Sequence, residues 1–456
     1  MITRRSFVAS TAAALAAGAV ANQIAFAAKA PADSPVATSP SDQPKKLNIG
    51  VVGVGGRGGD NLKELLKLDN ANVVALCDVD AHTLVGAARI VTSAATFTDF
   101  RDLLKHPDID AVLIATPDHT HAIAAATALR AGKHVYCEKP LTHTIKESRT
   151  LADLAEQTRL VTQTGVQNHS ISDSYRRTVE LIHGGTIGQV SEVHIWHNRT
   201  RRPFSEEIAP PPAELNYDLW LGPESMRPFR KGYHPYSWRH WWAFGNGQIG
   251  DQSSHFLDLV FWCLGLEHVT KVSAQSVEAV KPEMVCNHLT AQFEFPARNT
   301  PLGAQPPVKL SWYDNPLKPA DIDKWNLPPL PAHVKGFSLH EEGIMLIGDK
   351  GMLCTNYSYR ALLPEDKFKD FKPPPQTLGK PGSHQGNWVD ACLKNDPSAA
   401  VAPLAYGALL AEIPMLATIA FRTGKTLEWD WKNMKFPNAP EAEQLLDYSH
   451  REGWTL

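Results

Sequence analysis

The 456-residue chain is short of several things that would fix its class at once. It has no block of consecutive Lys or Arg and no acidic tail. Its 45 basic and 48 acidic residues leave a formal charge of −3, so neither nucleic acid nor a strongly basic partner is indicated. Cysteine is scarce, with six residues (Cys77, Cys137, Cys263, Cys286, Cys354, Cys392) and no C-x-x-C spacing among them. That excludes a disulfide scaffold and a thiolate zinc site. Several sit in apolar runs such as "VVALCDVD" and "HVYCEKP", which predicts buried thiols that serve packing. No internal repeat is visible. The one membrane-like stretch near the start, Val8 to Ala21, is alanine-rich and shorter than the roughly 20 residues a spanning helix needs.

That stretch has a specific context. "TRRSFV", Thr3 to Val8, sets two arginines and a phenylalanine before it, and "AFA" at Ala25 to Ala27 follows it as a small-x-small cleavage site. The combination is that of a twin-arginine export signal, although Val8 and Ala9 stand where such signals often carry Lys or Leu. The expected mature protein starts near Ala28, is periplasmic or exported, and has no membrane contact after cleavage. Residues 28–46, rich in Pro, Ser and Ala, are expected to be a flexible linker.

From residue 47 short apolar strands alternate with helical stretches: "LNIGVVGV", "DNLKELLKL", "NVVALCDVD", "DAVLIAT", "AIAAATALRAG", "KHVYCEKP". Continuous apolar strands separated by helices predict a parallel sheet covered on both faces, in a doubly wound α/β domain over residues 47–165. Residues 166–456 read as an α+β domain with a large, mainly antiparallel sheet that is open on one face, because strand-like runs follow one another with few helices. Near the end, "AYGALLAEIPMLATIAFRTGK" predicts a helix with one apolar stripe (Leu409, Ile413, Leu416, Ala420), kinked at Pro414.

The first strand runs into Gly53-x-Gly55-x-x-Gly58, with Gly56 and Arg57 inside the loop. Glycines there allow a tight turn and let backbone N–H groups and a helix N-terminus approach a pyrophosphate. Asp78 ends the second strand, where a carboxylate bonds adenosine ribose hydroxyls and repels a 2′-phosphate. The predicted cofactor is therefore NAD; Arg57 keeps NADP as the lesser alternative. "TPDHTH" ends a further strand on the same sheet edge, and Thr116, Pro117, His119 and His121 are expected to contact the cofactor. The two histidines lack a third ligand at metal-binding spacing, so no metal is expected. "EKP", Glu138 to Pro140, ends the next strand.

A glycine loop, "ATPDHTH" and "CEKP" in this order, followed by a sheet domain, resembles the Gfo/Idh/MocA oxidoreductases, and the resemblance spans nearly all of the chain after residue 46. It implies a Rossmann domain followed by a substrate-binding and oligomerisation domain. It also implies a second cluster, an acid and a histidine four apart, found here as Asp251 and His255 in "GNGQIGDQSSHFLD". That spacing sets both on one face of a helix. By resemblance His255 is the general base, Lys139 bonds the reacting oxygen, Asp251 orients substrate or imidazole, and Glu138 contacts the cofactor. Trp238, Arg239 and Trp241 of "YSWRHWWAFG", and Gln167 and Asn168 of "GVQNHS", are candidates for binding a sugar, each with a structural role as the alternative.

The implied activity is oxidation of a hydroxyl on a sugar or sugar derivative. Outside the cytoplasm no free dinucleotide replaces a spent one, so the cofactor is expected to be tightly bound and recycled within each turnover. Two alternatives stand beside this reading: a glycosidase that uses transient oxidation and elimination, and a non-catalytic sugar-binding protein that carries nucleotide. Glycosidases of the family replace the "EKP" segment, and this chain keeps it. A homo-oligomer built through the C-terminal sheet is also implied.

Overall fold

The computed structural model describes residues 45–200 and 204–456. The expected signal and all but the last two residues of the expected linker lie outside them. The first half alternates β1 (Leu47–Val52), α1 (Gly56–Leu65), β2 (Ala71–Cys77), α2 (Ala81–Ala88), β3 (Ala95–Phe97), α3 (Phe100–Leu103), β4 (Ala111–Ile114), α4 (Asp118–Arg130), β5 (His134–Cys137), α5 (Ile145–Thr158) and β6 (Thr162–Thr164). The six strands form one parallel sheet in the order β3-β2-β1-β4-β5-β6. This is the doubly wound arrangement, whose order reverses between β1 and β4 and opens a crevice at the strand C-termini. β4 is buried along its whole length, as a strand covered on both faces must be.

The second half contains α6 (Asn168–Ile171), α7 (Asp173–His183), β7 (Val190–Trp196), α8 (Tyr217–Leu221), α9 (Gly247–Leu264), β8 (Lys271–Ser276) and β9 (Leu289–Phe295). There follow a small hairpin, β10 (Arg298–Thr300) and β11 (Gly303–Gln305), and then β12 (Val308–Tyr313), β13 (Gly343–Gly348), β14 (Gly351–Thr355) and β15 (Arg360–Leu363). The chain closes with α10 (His384–Lys394), α11 (Leu404–Thr423) and β16 (Leu427–Glu428). Eight strands make a mixed sheet, β15-β14-β13-β7-β12-β9-β8-β16, antiparallel except where β7 lies parallel to β12.

Three features depart from the pattern read in the sequence. The outer face of the large sheet is only partly open: Ile322, Trp325, Leu327 and Leu339, from the long connection before β13, pack on Trp196, Met345 and Cys354. The packing also crosses the boundary near Gly165. Trp388, Val389 and Cys392 of α10 join Leu62 and Leu65 of α1 and Val51, Leu76 and Leu113 of the parallel sheet in one buried cluster. A helix from the C-terminal half thus completes one face of the first sheet. Finally, α11 runs unbroken through Pro414 and is buried all round from Ala411 to Phe421. It is apolar and long enough to cross a membrane, but 83% of its most apolar window lies inside the fold.

A stripe pattern did not foresee the charge inside that helix. The Glu412 carboxylate, 3% exposed, accepts from the Arg149 guanidinium of α5 and from Trp429 Nε1 at 2.8 Å. Removing one partner of such a pair leaves the other desolvated and uncompensated. Glu412→Ala should therefore cost about 3 kcal/mol, at the low end for buried pairs because Arg149 is partly exposed. Chemical denaturation measures this; a loss under about 0.5 kcal/mol would mean that Arg149 finds water instead.

Candidate active site

A cavity of 780 Å³ opens at the crevice of the parallel sheet. One wall is the glycine loop and the N-terminus of α1. Gly53 has φ +81°, in the left-handed region that glycine adopts without strain. Gly58 does not line the cavity; a Cβ there would lie 1.8 Å from the Gly53 carbonyl oxygen, so its part is to seat α1 against the strand-end turn. Gly55, Gly56 and Arg57 do line it. The first turn of α1 carries no acidic residue and no side-chain cap. A Cβ on Gly56 would enter open space, so the backbone itself forms the wall.

The strand ends supply the opposite wall. Asp78 is half-buried. Its Oδ2 accepts from Val54 N at 2.9 Å and its Oδ1 from Asp80 N at 3.0 Å, so it braces the glycine loop while lining the cavity. Burial raises its carboxyl above the ordinary value, against those two hydrogen bonds. Thr116, Pro117, Asp118 and His121 line the cavity as well. The His121 ring nitrogens face the carbonyls of Pro140 at 2.8 Å and Thr116 at 2.7 Å. His119 does not line it. Fully buried, its Nε2 meets the Trp220 carbonyl at 2.9 Å and its ring packs on Trp220 and Phe244. It lies in the first turn of α4 on the face turned to the core, whereas Asp118, Thr120 and His121 beside it line the cavity.

Glu138 is a junction. Its Oε1 accepts from Arg57 Nε at 3.2 Å, Asn61 Nδ2 at 2.8 Å and Gln167 Nε2 at 2.7 Å, and its Oε2 from Lys139 N at 3.2 Å. Glycine loop, α1 and the end of β5 are joined through one carboxylate. Gln167, expected on the substrate side, spends its amide on Glu138 and on Tyr136 Oη at 2.8 Å, and lines only the dinucleotide-sized cavity.

The next residue reaches across the molecule. Lys139 Nζ donates to Asp251 Oδ1 at 2.8 Å and to the Asp251 carbonyl at 2.9 Å. Arg239 Nε lies 3.2 Å from the same Oδ1, and Gln252 Nε2 donates to Oδ2 at 2.7 Å. Burial would raise the Asp251 carboxyl, but Lys139 and Arg239 outweigh it and hold the group well below the usual carboxylate range. One turn along α9, burial pushes His255 down to about 3, and Lys139 adds to the effect. Among the described residues no protein group hydrogen-bonds its ring.

A second cavity, of 510 Å³, lies beyond this cluster and includes Asn168, Arg199, Gln248 and Tyr357. Tyr236, Arg239, Asp251, Gln252 and His255 line both cavities and so form the wall between them. The tryptophans divide. Trp238 stacks on the Arg239 guanidinium (3.9 Å to the ring centroid) and faces the larger cavity. Trp241 lines neither; it is 1% exposed and packs edge-on against Tyr233 and Phe204. Among the described residues there is no group of three His, Cys, Asp or Glu that could hold a metal ion.

The larger cavity fits a dinucleotide on three counts: a glycine wall that a Cβ would obstruct, an uncapped helix N-terminus without acids, and a half-buried carboxylate just after β2. It also contains a group that sequence reasoning passed over. Asp118, 1% exposed, has a carboxyl oxygen, Oδ2, with no partner among the described residues, and burial pushes it up to about 8 despite nearby Arg239 and Lys139. It stood inside "TPDHTH" unremarked, where nothing local marks it as desolvated. Gln252 sat beside a chosen residue; Tyr357 and Arg199 had no local signal.

Asp118 yields a pH prediction. The unfolded chain loses this proton near about pH 4, whereas the fold keeps it to about 8. Stability should fall across that window, because the native state binds the extra proton. Asp118→Asn removes the fall, so its melting temperature relative to the unsubstituted protein should climb from pH 4 to pH 8. A difference independent of pH would show Asp118 to be ionised in the fold.

Comparison with known proteins agrees with this architecture. Residues 47–166 match the model of the oxidoreductase family, NAD-binding Rossmann fold, and residues 191–290 match that of its C-terminal alpha/beta domain. A "Glycosyl hydrolase family 109 protein" of Saccharopolyspora erythraea is 36% identical over 153 residues, 32% of this chain and 33% of that one. An inositol 2-dehydrogenase of Gluconacetobacter diazotrophicus is 35% identical over 159 residues, 34% of this chain and 47% of that one. The matches thus span between a third and a half of these relatives' length. The WlbA dehydrogenase from Bordetella pertussis, solved with NADH and UDP-GlcNAcA, shares the fold with a TM-score of 0.59 at 20% identity, over 84% of this chain and 99% of that one. The aldose-aldose oxidoreductase from Caulobacter crescentus, solved with glycerol, does so with a TM-score of 0.55 at 17% identity, over 84% and 100%. With both domain types present in order, the chain belongs to the Gfo/Idh/MocA oxidoreductase family.

Proposed function

We propose that the protein is an NAD-dependent oxidoreductase that acts on a hydroxyl of a sugar or sugar derivative, with the cofactor retained and recycled within each turnover. One observation carries the reading. Asp251 and His255 line both the dinucleotide-sized cavity and the smaller, sugar-sized one, and Lys139, bonded to Asp251, faces them from the dinucleotide side.

Bound NAD would supply the hydride acceptor. The glycine loop and the α1 N-terminus would hold its pyrophosphate, and Asp78 its adenosine ribose; a carboxylate there disfavours a 2′-phosphate. His255, held by burial well below the ordinary histidine range and so neutral near pH 7, accepts the proton of the substrate hydroxyl as its carbon is oxidised. Lys139 stabilises negative charge on the reacting oxygen and is aimed by its two bonds to Asp251. Asp251 stays ionised and positions Lys139 and Arg239 rather than exchanging protons itself.

Recycling follows from export. The twin-arginine pattern at Arg4 and Arg5 supports a periplasmic protein that folds before export and carries its dinucleotide with it. A second reading, oxidation-assisted glycoside cleavage, is favoured by the relatives named as glycosyl hydrolase family 109 proteins. Assembly through the eight-stranded sheet belongs to the same proposal.

The desalted protein should release NAD on denaturation and act on its sugar without added dinucleotide, its nicotinamide absorbance changing by no more than one equivalent per site. Strict dependence on added NAD with many turnovers of NADH would leave a conventional dehydrogenase, and release of a new reducing end would select the glycosidase. His255→Ala should lower turnover by on the order of 10²–10⁴-fold and leave nucleotide content unchanged. The unsubstituted protein should keep its rate from pH 8 down to about 5, since His255 is protonated only near 3. A limb near pH 6.5 lost in His255→Ala would contradict that environment. Export is tested separately: with Arg4 and Arg5 both changed to Lys, the full-length precursor should stay in the cytoplasm, and an unchanged periplasmic fraction refutes the signal.

A further inference from the structure

The smaller cavity has an unbalanced charge. Its wall contains two arginines, Arg199 and Arg239, and one carboxylate, Asp251. That carboxylate is already matched twice, by Lys139 Nζ at 2.8 Å and by Arg239 Nε at 3.2 Å. Arg199 has no carboxylate within ion-pair distance among the described residues. Its guanidinium lies over the Phe337 ring, 5.7 Å from the centroid, and the residue is exposed at the mouth of the cavity it lines. Glu342, an acid whose charge it feels, is 1% exposed and, among the described residues, has an unpartnered Oε2 and makes no ion pair; burial pushes its carboxyl up to about 7, toward the neutral form.

The backbone has the same sign. Gly247 and Gln248, the first two residues of the 18-residue helix α9, line this cavity, and the helix has neither a side-chain cap nor an acid in its first turn. The positive end of its dipole and a lone guanidinium therefore face the same space. A cavity of 510 Å³ holds a sugar ring with a charged substituent. A guanidinium presents paired N–H donors that match two oxygens of a carboxylate or phosphate, which a hydroxyl cannot reproduce.

We infer that the smaller cavity takes an anionic sugar, whose carboxylate or phosphate ester pairs with Arg199 while the hydroxyl to be oxidised lies at His255. The inference rests on the oxidoreductase reading for the role of His255 alone; the anion preference stands on the cavity. A substrate anchored at Arg199 presents a carbon distant from the charged group to His255 and the larger cavity, so the charge selects the substrate and fixes which hydroxyl reacts.

The test is calorimetric titration of the mature protein, with its dinucleotide, by D-glucuronate, D-glucose 6-phosphate and D-glucose, and by D-galacturonate and D-galactose. At least one acid should bind about tenfold or more tighter than its neutral counterpart, and added salt should weaken that binding, as for a charge-assisted pair. Arg199→Gln should shrink the acid-to-neutral ratio to within about threefold, and Arg199→Lys should keep part of it. Melting temperature and nucleotide content of each variant verify folding. Preference for glucuronate or for glucose 6-phosphate assigns the carboxylate or the phosphate ester. Acids no tighter than their neutral partners in every pair, including absence of binding, overturn the inference, as does a ratio that survives Arg199→Gln. Preferential acid binding with no reduction of the nicotinamide by any sugar instead sinks the oxidoreductase reading and leaves the anion site standing.

Discussion

The ion pair between Lys139 and Asp251 is the contact on which the rest of the site depends. Lys139 follows the end of β5, in the parallel sheet, and Asp251 lies in the second turn of α9, in the other half of the chain. The bond fixes Asp251, one of the five residues that line both cavities. Burial makes each charge expensive alone and the pair tolerable together. Arg239 and Gln252 complete the coordination of the carboxylate, so Asp251 has little freedom to act as anything but a fixed charge. The dinucleotide side repeats the principle with Glu138, where one buried carboxylate gathers donors from three segments. Both junctions are single acids satisfied by several donors, which is how a buried charge serves rigidity rather than reactivity.

Much of this was legible in the sequence, for identifiable reasons. Apolar strands alternating with helices report a doubly covered sheet because each strand must bury both faces, and β4 does so residue by residue. The glycine loop is legible because few other residues tolerate its turn. What was not legible is direction. Gln167 and Asn168 are neighbours, yet one braces Glu138 and the other lines the smaller cavity. Trp238 and Trp241, three apart, part between cavity and core. His119 and His121 differ in the same way. Composition gives such residues equal claims, and only the packing of distant elements decides. The pairing of α10 with α1 is a contact of this kind, between segments more than 300 residues apart, as the hydrogen bond from Gln385 to Asn61 measures.

Helix α11 shows a different limit. Leu409, Ile413, Leu416 and Ala420 do trace a line along one side, and the sequence suggests a surface helix with one buried stripe. Ala408, Ala411, Ala417 and Pro414 on the other sides are buried too. Small residues read as neutral in a periodicity argument, although they are what lets neighbours approach closely: a Cβ on Gly407 would lie 2.0 Å from Thr164 Oγ1 of β6. Close approach on every side also explains why Glu412 needed a partner from each of two elements, Arg149 and Trp429.

The electrostatics of the wall bear on what kind of cycle it can run. A base is most effective when its pKa lies near the working pH, and His255 is held far below that. The cause is the environment that aims the other groups: burial first, then the charge of Lys139. An imidazolium formed there is disfavoured by the same charges, so a proton taken up is readily returned. A base this weak gives its proton up to solvent as readily as to a bound product, so its basicity alone serves a conventional dehydrogenase and the proposed cycle equally. In the proposed cycle hydride and proton would be given back to a bound product, and a base that releases its proton easily suits that return step. If the cofactor is retained as proposed, the low basicity of His255 serves the step in which electron pair and proton return together.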